Sequence, residues 1–508
     1  MIVVSVVAAA LVWILLEASR KFNRRNLPPG PAGLPIVGNL FDMPNGKRWD
    51  VFDSWGQKWG PITSASFLGE TFVMINSFEI ANELLNKRSA IYADRPDAPM
   101  AGWLVGWKNI VSFLHYGEHF KQCRRLIHGL VGTPVSLKKL HHMHEHASHK
   151  MLKSILAKPE DLEHIIMHTS GALLLRVVYG WSEDEHDHPF VETADQAVND
   201  LYVFVSGYLV DALPILRHLP SWLPGTEFKR QAKGWSSTFD AMVDRPFSWI
   251  KGQLTAGNNE SSFVADHLRE GVEDEFTVKW TAASMSSAGP DTTAWTVFAF
   301  FKAMAMYPDV MKRAQAEIES VVGSDRLPQI SDRAQMPFID AMVFESLRWH
   351  PVAPLGDSVV ELEPTGFPHR LTEDDHYEGF LLPKGALVQT NVVGITRDPA
   401  IYPNPHVFDP TRFMASETKQ VQPNPEYTFG WGRRICPGRL MALEVLFITY
   451  AQVLAVYNIS KGTENGVPVQ LDTGRSEGVV SRPTAFKCDI KPRDKKALSL
   501  ITGDFPIN

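Results

Sequence analysis

The stretch FGWGRRICPGRL, Phe429 to Leu440, sets a lone cysteine, Cys436, among glycines, arginines and a proline. Glycines let backbone N–H groups come close, and Pro437 stiffens the turn that leads into an apolar helical pattern. Two readings fit the loop alone: a thiolate shielded and hydrogen-bonded as a ligand, or a small buried hydrophobe, which is the usual fate of a free cysteine. The other cysteines, Cys123 and Cys488, are far away, and the total of three is odd. That count excludes a disulfide framework and a Cys-x-x-Cys metal site, and it fits a reducing compartment with Cys123 and Cys488 as inert packing thiols.

Around this loop lies a chain of 508 residues, 44 % hydrophobic and 21 % charged, an ordinary globular composition. No Gly/Ser linker or charge block divides it, so one large domain is expected. The formal net charge of −7 argues against nucleic acid as a partner. MIVVSVVAAALVWILL, Met1 to Leu16, has Ser5 as its only polar side chain, and Arg20, Lys21, Arg24 and Arg25 follow it. At about 1.5 Å per residue this run spans roughly 24 Å, close to a thin endoplasmic-reticulum bilayer. A cleaved signal peptide carries its basic residues before the apolar run, whereas here they come after. The positive-inside rule then keeps everything downstream in the cytosol. Residues 1–18 therefore read as a single-pass transmembrane anchor in the endoplasmic reticulum, 19–36 as a basic flank and Pro-rich hinge, and 37–508 as the catalytic domain.

From about Val111 to His350 the pattern is helical, as in VMKRAQAEIESVVG and FIDAMVFESLRW, with apolar residues three and four apart. From His369 to Phe413 it shifts to short alternating runs such as ALVQTNVVGI, and GRLMALEVLFITYAQVLAVY closes with a last helix. The expected class is mainly α with small β-sheets.

Three further segments settle the reading of Cys436. FESLR puts Glu345 and Arg348 three apart on one helical face, FDPTRF supplies Arg412, and AGPDTT runs from Ala288 to Thr293. Phe429, Gly432, Arg434, Cys436 and Gly438 match in full the haem loop of the cytochrome P-450 monooxygenases, and the chain resembles that family from the hinge onward. The resemblance implies the P-450 fold with an N-terminal anchor helix, and haem b on an axial Cys436 thiolate, whose electron donation favours O–O cleavage. Glu345, Arg348 and Arg412 would form a structural charge cluster. In AGPDTT, Gly289 would leave room for oxygen, Asp291 and Thr292 would deliver protons, and Pro290 would sharpen a local helix distortion. The haem propionates would be met by Arg124, His369 and Arg434.

Two departures from the family stand out. Phe120 replaces the usual Trp four residues before Arg124 and lacks its N–H donor. DSVVELEPTGF, residues 357–367, is inserted between RWHPVAPLG and the Pro-His-Arg segment, either as a specificity loop or as a stretch absent from the native protein.

The expected activity is insertion of one oxygen atom of dioxygen into a small apolar substrate, in the manner of fungal secondary-metabolite members of the family. A terpenoid, an aromatic polyketide or an indole fits a pocket of Trp103, Trp107, Phe113, Met285, Ala288, Val352 to Leu355, Val479 and Val480. No flavin or nicotinamide motif is present, so electrons are expected from an NADPH-dependent reductase, with cytochrome b5 as a second donor. Lys121, Arg124, Arg125, Arg433 and Arg439 are candidates for the docking face. Rival readings are a reductase-independent isomerase or dehydratase, against which the Asp291–Thr292 pair counts, and a non-catalytic haem chain if 357–367 disrupts the pocket. HHMHEHASH, His141 to His149, fails the His-Glu-x-x-His pattern at Ser148 and reads as a solvated helix face. Asn259 lies in a glycosylation sequon that a cytosolic chain would not use.

Overall fold

Asp274 caps the longest helix: its Oδ1 accepts the Thr277 amide at 2.9 Å, and the helix runs unbroken over Glu275–Met306. Every residue from Ala294 to Ala305 is buried, as expected of a helix with neighbours on all sides. Those neighbours include the helices Leu162–Tyr179, Pro337–Trp349 and Arg439–Val456. Phe300 stacks on Tyr450 with ring centroids 3.9 Å apart, tying the central helix to the one that leaves the Cys436 loop. Arg439–Val456, with a mean hydropathy of 1.6, is the one helix among the described residues long and apolar enough to cross a membrane, yet it is mostly buried in this core.

The computed structural model describes residues 26–34, 37–42, 48–182, 188–205, 207–258, 260–271, 274–355, 368–415, 421–476 and 478–503. The expected anchor at 1–18, the insertion 357–367 and Asn259 lie outside them.

The sheets are small, as the sequence pattern suggests. Ile62–Phe67 and Glu70–Ile75 pair antiparallel across Leu68 and Gly69, whose positive φ values of 48° and 98° suit a two-residue hairpin. Glu70–Ile75 then pairs in parallel with Leu387–Thr390, and that strand pairs antiparallel with His369–Arg370, so that His369 lies opposite Val388. The described part of the Pro-rich hinge is bound to the first strand. Ser64 donates its amide to the Pro29 carbonyl and its hydroxyl to that of Pro28, and Asn39 donates to Pro31.

Candidate active site

Two 3₁₀ turns, Pro425–Phe429 and Gly432–Arg434, fold the loop back until the Cys436 amide donates to the Phe429 carbonyl at 2.8 Å. Gly432 has φ 51°, and a Cβ there would stand 2.1 Å from the Leu85 carbonyl oxygen. This glycine closes the loop against the Asn82–Lys87 turn and not around the sulfur, as its place in the motif suggests. Gly438 is the one beside the thiol, where a Cβ would lie 4.0 Å from Sγ.

Four cationic or basic side chains gather here. Arg124, from the helix Glu118–Val131, donates to the carbonyl of Ile435 at 2.5 Å and lies within electrostatic reach of Cys436. Arg434 donates to the carbonyls of Ala93 (2.6 Å) and Leu114 (2.7 Å). Burial, then the nearby Arg95, pushes its guanidinium down to about 9. His369 donates Nδ1–H to the Tyr92 carbonyl at 2.8 Å, and burial together with Arg95 pushes it down to about 3, so the ring is neutral. The acceptor fixes the tautomer and leaves Nε2 without a proton. Arg95 is itself buried, with Nε donating to Ser112. It is the member that sequence reading missed: ADRPD shows no periodicity or motif that marks its arginine.

For Arg124 and Arg434 every hydrogen bond among the described residues goes to a main-chain carbonyl, so no carboxylate is hydrogen-bonded to either there, although Asp94 acts on Arg434 through space. Half-buried cations that repel one another call for an anionic partner, and the carboxylates of a haem seated on Cys436 fit that demand. Phe120 is buried with the Arg434 guanidinium 4.0 Å from its ring centroid, so the ring remains as a platform although the indole N–H is lost.

Glu345 and Arg348, both fully buried, make a bidentate pair at 2.7 Å for each contact. Arg412 stands 3.4 Å from the same carboxylate, and the Asp409 amide donates to it at 2.7 Å. Further bonds from Arg348 hold the Thr396, Pro405 and Val407 carbonyls.

On the central helix, exposed Ala288 and half-exposed Thr292 stand one turn apart, and the Thr292 hydroxyl donates to the Ala288 carbonyl at 3.2 Å. Gly289 faces elsewhere: a Cβ on it would meet Leu174 Cδ1 at 2.3 Å, so its small size serves packing against the helix Leu162–Tyr179 and not room for oxygen. The helix is continuous through Pro290. Asp291 is buried and turned from Thr292 toward the helix Phe190–Phe204. Its Oδ2 accepts the Tyr202 hydroxyl and its Oδ1 the Trp295 indole N–H at 2.7 Å. Burial raises its carboxyl above the ordinary range, against the pull of Tyr202 and Arg482. A cavity of about 400 Å³ opens beside it, walled by His164, Asp195 and Arg482 among others. Burial and the charge of Asp291 push Asp195 up to about 6.

The remaining expectations divide. Trp107 and Val479 share one buried apolar cluster with Phe239 and Ala283, and Phe113 packs against it. Trp103 is half exposed under the cations Lys108 and Arg217, and Leu355 is buried against Trp49 and Phe52 near the sheet, so neither joins that wall. The histidine stretch divides: His142 and His146 are exposed, as a solvated face requires, and the others face the protein. His144 is fully buried with Nδ1 2.8 Å from Glu444, His141 reaches the same carboxylate at 3.2 Å, and His149 meets the Leu500 carbonyl. No group of His, Cys, Asp and Glu that could hold a metal ion occurs among the described residues. Cys488 sits in a strand with its thiol pushed up to about 12 by burial, and Cys123 is buried.

Residues 28–489 match the family model described as Cytochrome P450. Similar proteins include cytochrome P450 monooxygenase 208 of Postia placenta, 40 % identical over 504 residues that cover 98 % of this chain and 96 % of that one. Cytochrome P450 monooxygenase ppsD of Aspergillus oryzae is 35 % identical over 518 residues, covering 99 % and 96 %. A solved zebra fish cytochrome P450 with progesterone superimposes with a TM-score of 0.72 at 24 % identity, covering 88 % of this chain and all of that one, and speaks to the fold alone.

Proposed function

The chain belongs to the cytochrome P450 family of haem-thiolate monooxygenases, and on that premise we propose that it oxidises a small apolar substrate in fungal secondary metabolism, as a membrane-anchored enzyme fed by an NADPH-dependent reductase. The observation that carries the site assignment is the set of Arg124, Arg434 and His369 beside Cys436, which matches an anionic cofactor on a thiolate. Haem, when bound, supplies the redox chemistry of oxygen insertion. Cys436 would bind its iron through the thiolate, Arg124, His369 and Arg434 would hold its carboxylates, and Thr292, whose hydroxyl now donates to the Ala288 carbonyl, would deliver protons. Asp291, whose two oxygens accept the Tyr202 hydroxyl and the Trp295 indole N–H, would deliver protons only after its carboxyl turns from them toward Thr292.

Docking of the donor fits the outward basic side chains. Lys121, Arg125 and Arg433 are exposed, whereas Arg124 is turned inward and Arg439 lies 3.7 Å from Glu426. Membrane association is supported by Leu209, Leu213, Ile215 and Trp222, which expose apolar side chains within one short stretch.

The full chain, reduced and exposed to carbon monoxide, should give the strongly red-shifted Soret band of a thiolate ligand, and Cys436→Ala should lose it. A histidine-like band in the unaltered protein would overturn the assignment. For substrate and donor, co-expression with an NADPH-dependent reductase should yield a product that neither the Cys436→Ala variant nor the enzyme without reductase makes.

A further inference from the structure

Lys302 stands inside the buried run Ala294 to Ala305 of the central helix, and its side chain is 2 % exposed. A buried ammonium requires acceptors for its three donors. Its Nζ donates to Asp472 Oδ1 at 3.0 Å, to the Thr484 carbonyl at 3.1 Å and to the Thr484 hydroxyl at 2.5 Å. The Thr484 hydroxyl in turn donates to Asp472 Oδ1, which also accepts the Gly474 amide at 2.9 Å.

Asp472 and Thr484 are the two stems of a hairpin. Above them the Thr484 amide donates to Gly474, Arg475 bridges Pro483, and the Ser476 amide donates to Arg482 at 2.7 Å. One lysine therefore grips both stems. Toward the tip, Val479 enters the apolar cluster that holds Trp107, Phe239 and Ala283, and the Ser481 amide donates to the Val352 carbonyl at 2.8 Å.

We propose that Lys302 is a positioning residue for substrate selection: by fixing the hairpin base it sets how far Val479 projects into the apolar wall, and so which bulky, rigid substrates fit. The proposal rests on the reading of Val479 as part of the substrate wall. Directional bonds to two stems explain why a lysine, which is costly to bury, occupies a helix face where a leucine would pack.

The test uses the haem-loaded full chain with Lys302→Met, which is similar in length and removes the donors. The Asp472 side chain is 70 % exposed, so water takes over its charge and the variant leaves no buried ion behind. Amide hydrogen exchange should quicken about tenfold at Ser476, Ser481 and Thr484 and stay unchanged in the central helix. Optical titration then compares imidazole, which is small, with clotrimazole, which fills the space above the haem. Clotrimazole affinity should change about fivefold in Lys302→Met and in Val479→Phe, while imidazole affinity stays within about twofold. If Val479→Phe shifts clotrimazole binding and Lys302→Met does not, the positioning role is wrong and the pocket reading stands. If neither shifts it, Val479 is not in the substrate wall and both fall. Faster exchange along the central helix would reduce Lys302 to general scaffolding and overturn the proposal.

Discussion

Arg348 and Arg412 share a buried carboxylate, while Arg124 and Arg434 share none among the described residues. The first group is buried and the second half-buried, and only in the first does a carboxylate meet the cations: Glu345 has a bidentate partner, a second guanidinium and a backbone amide. The hydrogen bonds of the second go to carbonyl dipoles, and burial depresses its guanidiniums. A network whose guanidiniums are bound to a carboxylate within the protein fixes geometry, whereas cations with no carboxylate hydrogen-bonded to them are shaped for a ligand that brings one.

The sharpest way to break this contrast is to remove the shared carboxylate. Glu345→Gln leaves two buried guanidiniums without an anion, and the fold should lose about 3–5 kcal/mol, read as a fall in melting temperature or in soluble yield. A variant that melts like the parent would show that the network is not the scaffold. In the cradle, Arg434→Gln should cost the haem-free chain far less, because losing the bonds to the Ala93 and Leu114 carbonyls is offset by removing a repelled cation, but should weaken haem retention by about 1.5–3 kcal/mol, measured by transfer to a haem acceptor. Equal losses of stability in both variants would erase the distinction.

The pH dependence sharpens it further. His369 is pushed down to about 3 and His350 well below its ordinary value, both chiefly by burial. Between about pH 6.5 and 3 the unfolded chain therefore binds a proton at His369 that the folded chain refuses, so stability falls as pH drops, by about 1.4 kcal/mol per pH unit from this ring, and His350 acts in the same direction. Melting curves should show a shallower slope for His369→Gln, and also for the parent once haem carboxylates stand beside the ring. Smallest of all, Phe120→Trp restores an N–H and should improve haem retention by about 1 kcal/mol or less, with no change in melting temperature.

What the sequence made legible was whatever is encoded by spacing. Glu345 and Arg348 lie three apart on one helix, so their pairing is local, and the Cys436 loop carries its turns within a dozen residues. What it hid depends on partners far along the chain. Gly289 reads as space for oxygen until Leu174 appears against it, and Arg95 has no pattern around it. His141 and His144 look as solvated as the exposed His142 and His146 because Glu444, which binds the first two, comes from another helix. Trp103 and Leu355 are apolar residues in segments that line the pocket, and only packing tells which of their neighbours face it.

The apolar helix Arg439–Val456 has a consequence for how the chain is made. Left in water it is long and greasy enough to be taken for a membrane span, or to seed aggregation. The chain leaves the ribosome from its N-terminus, so the surfaces that receive this helix, among them Phe300 on the central helix and Met342 and Leu347 on Pro337–Trp349, are synthesised well before it emerges. Its docking site is ready before the helix is, and the interval in which it stands uncovered is kept short by the order of the sequence itself.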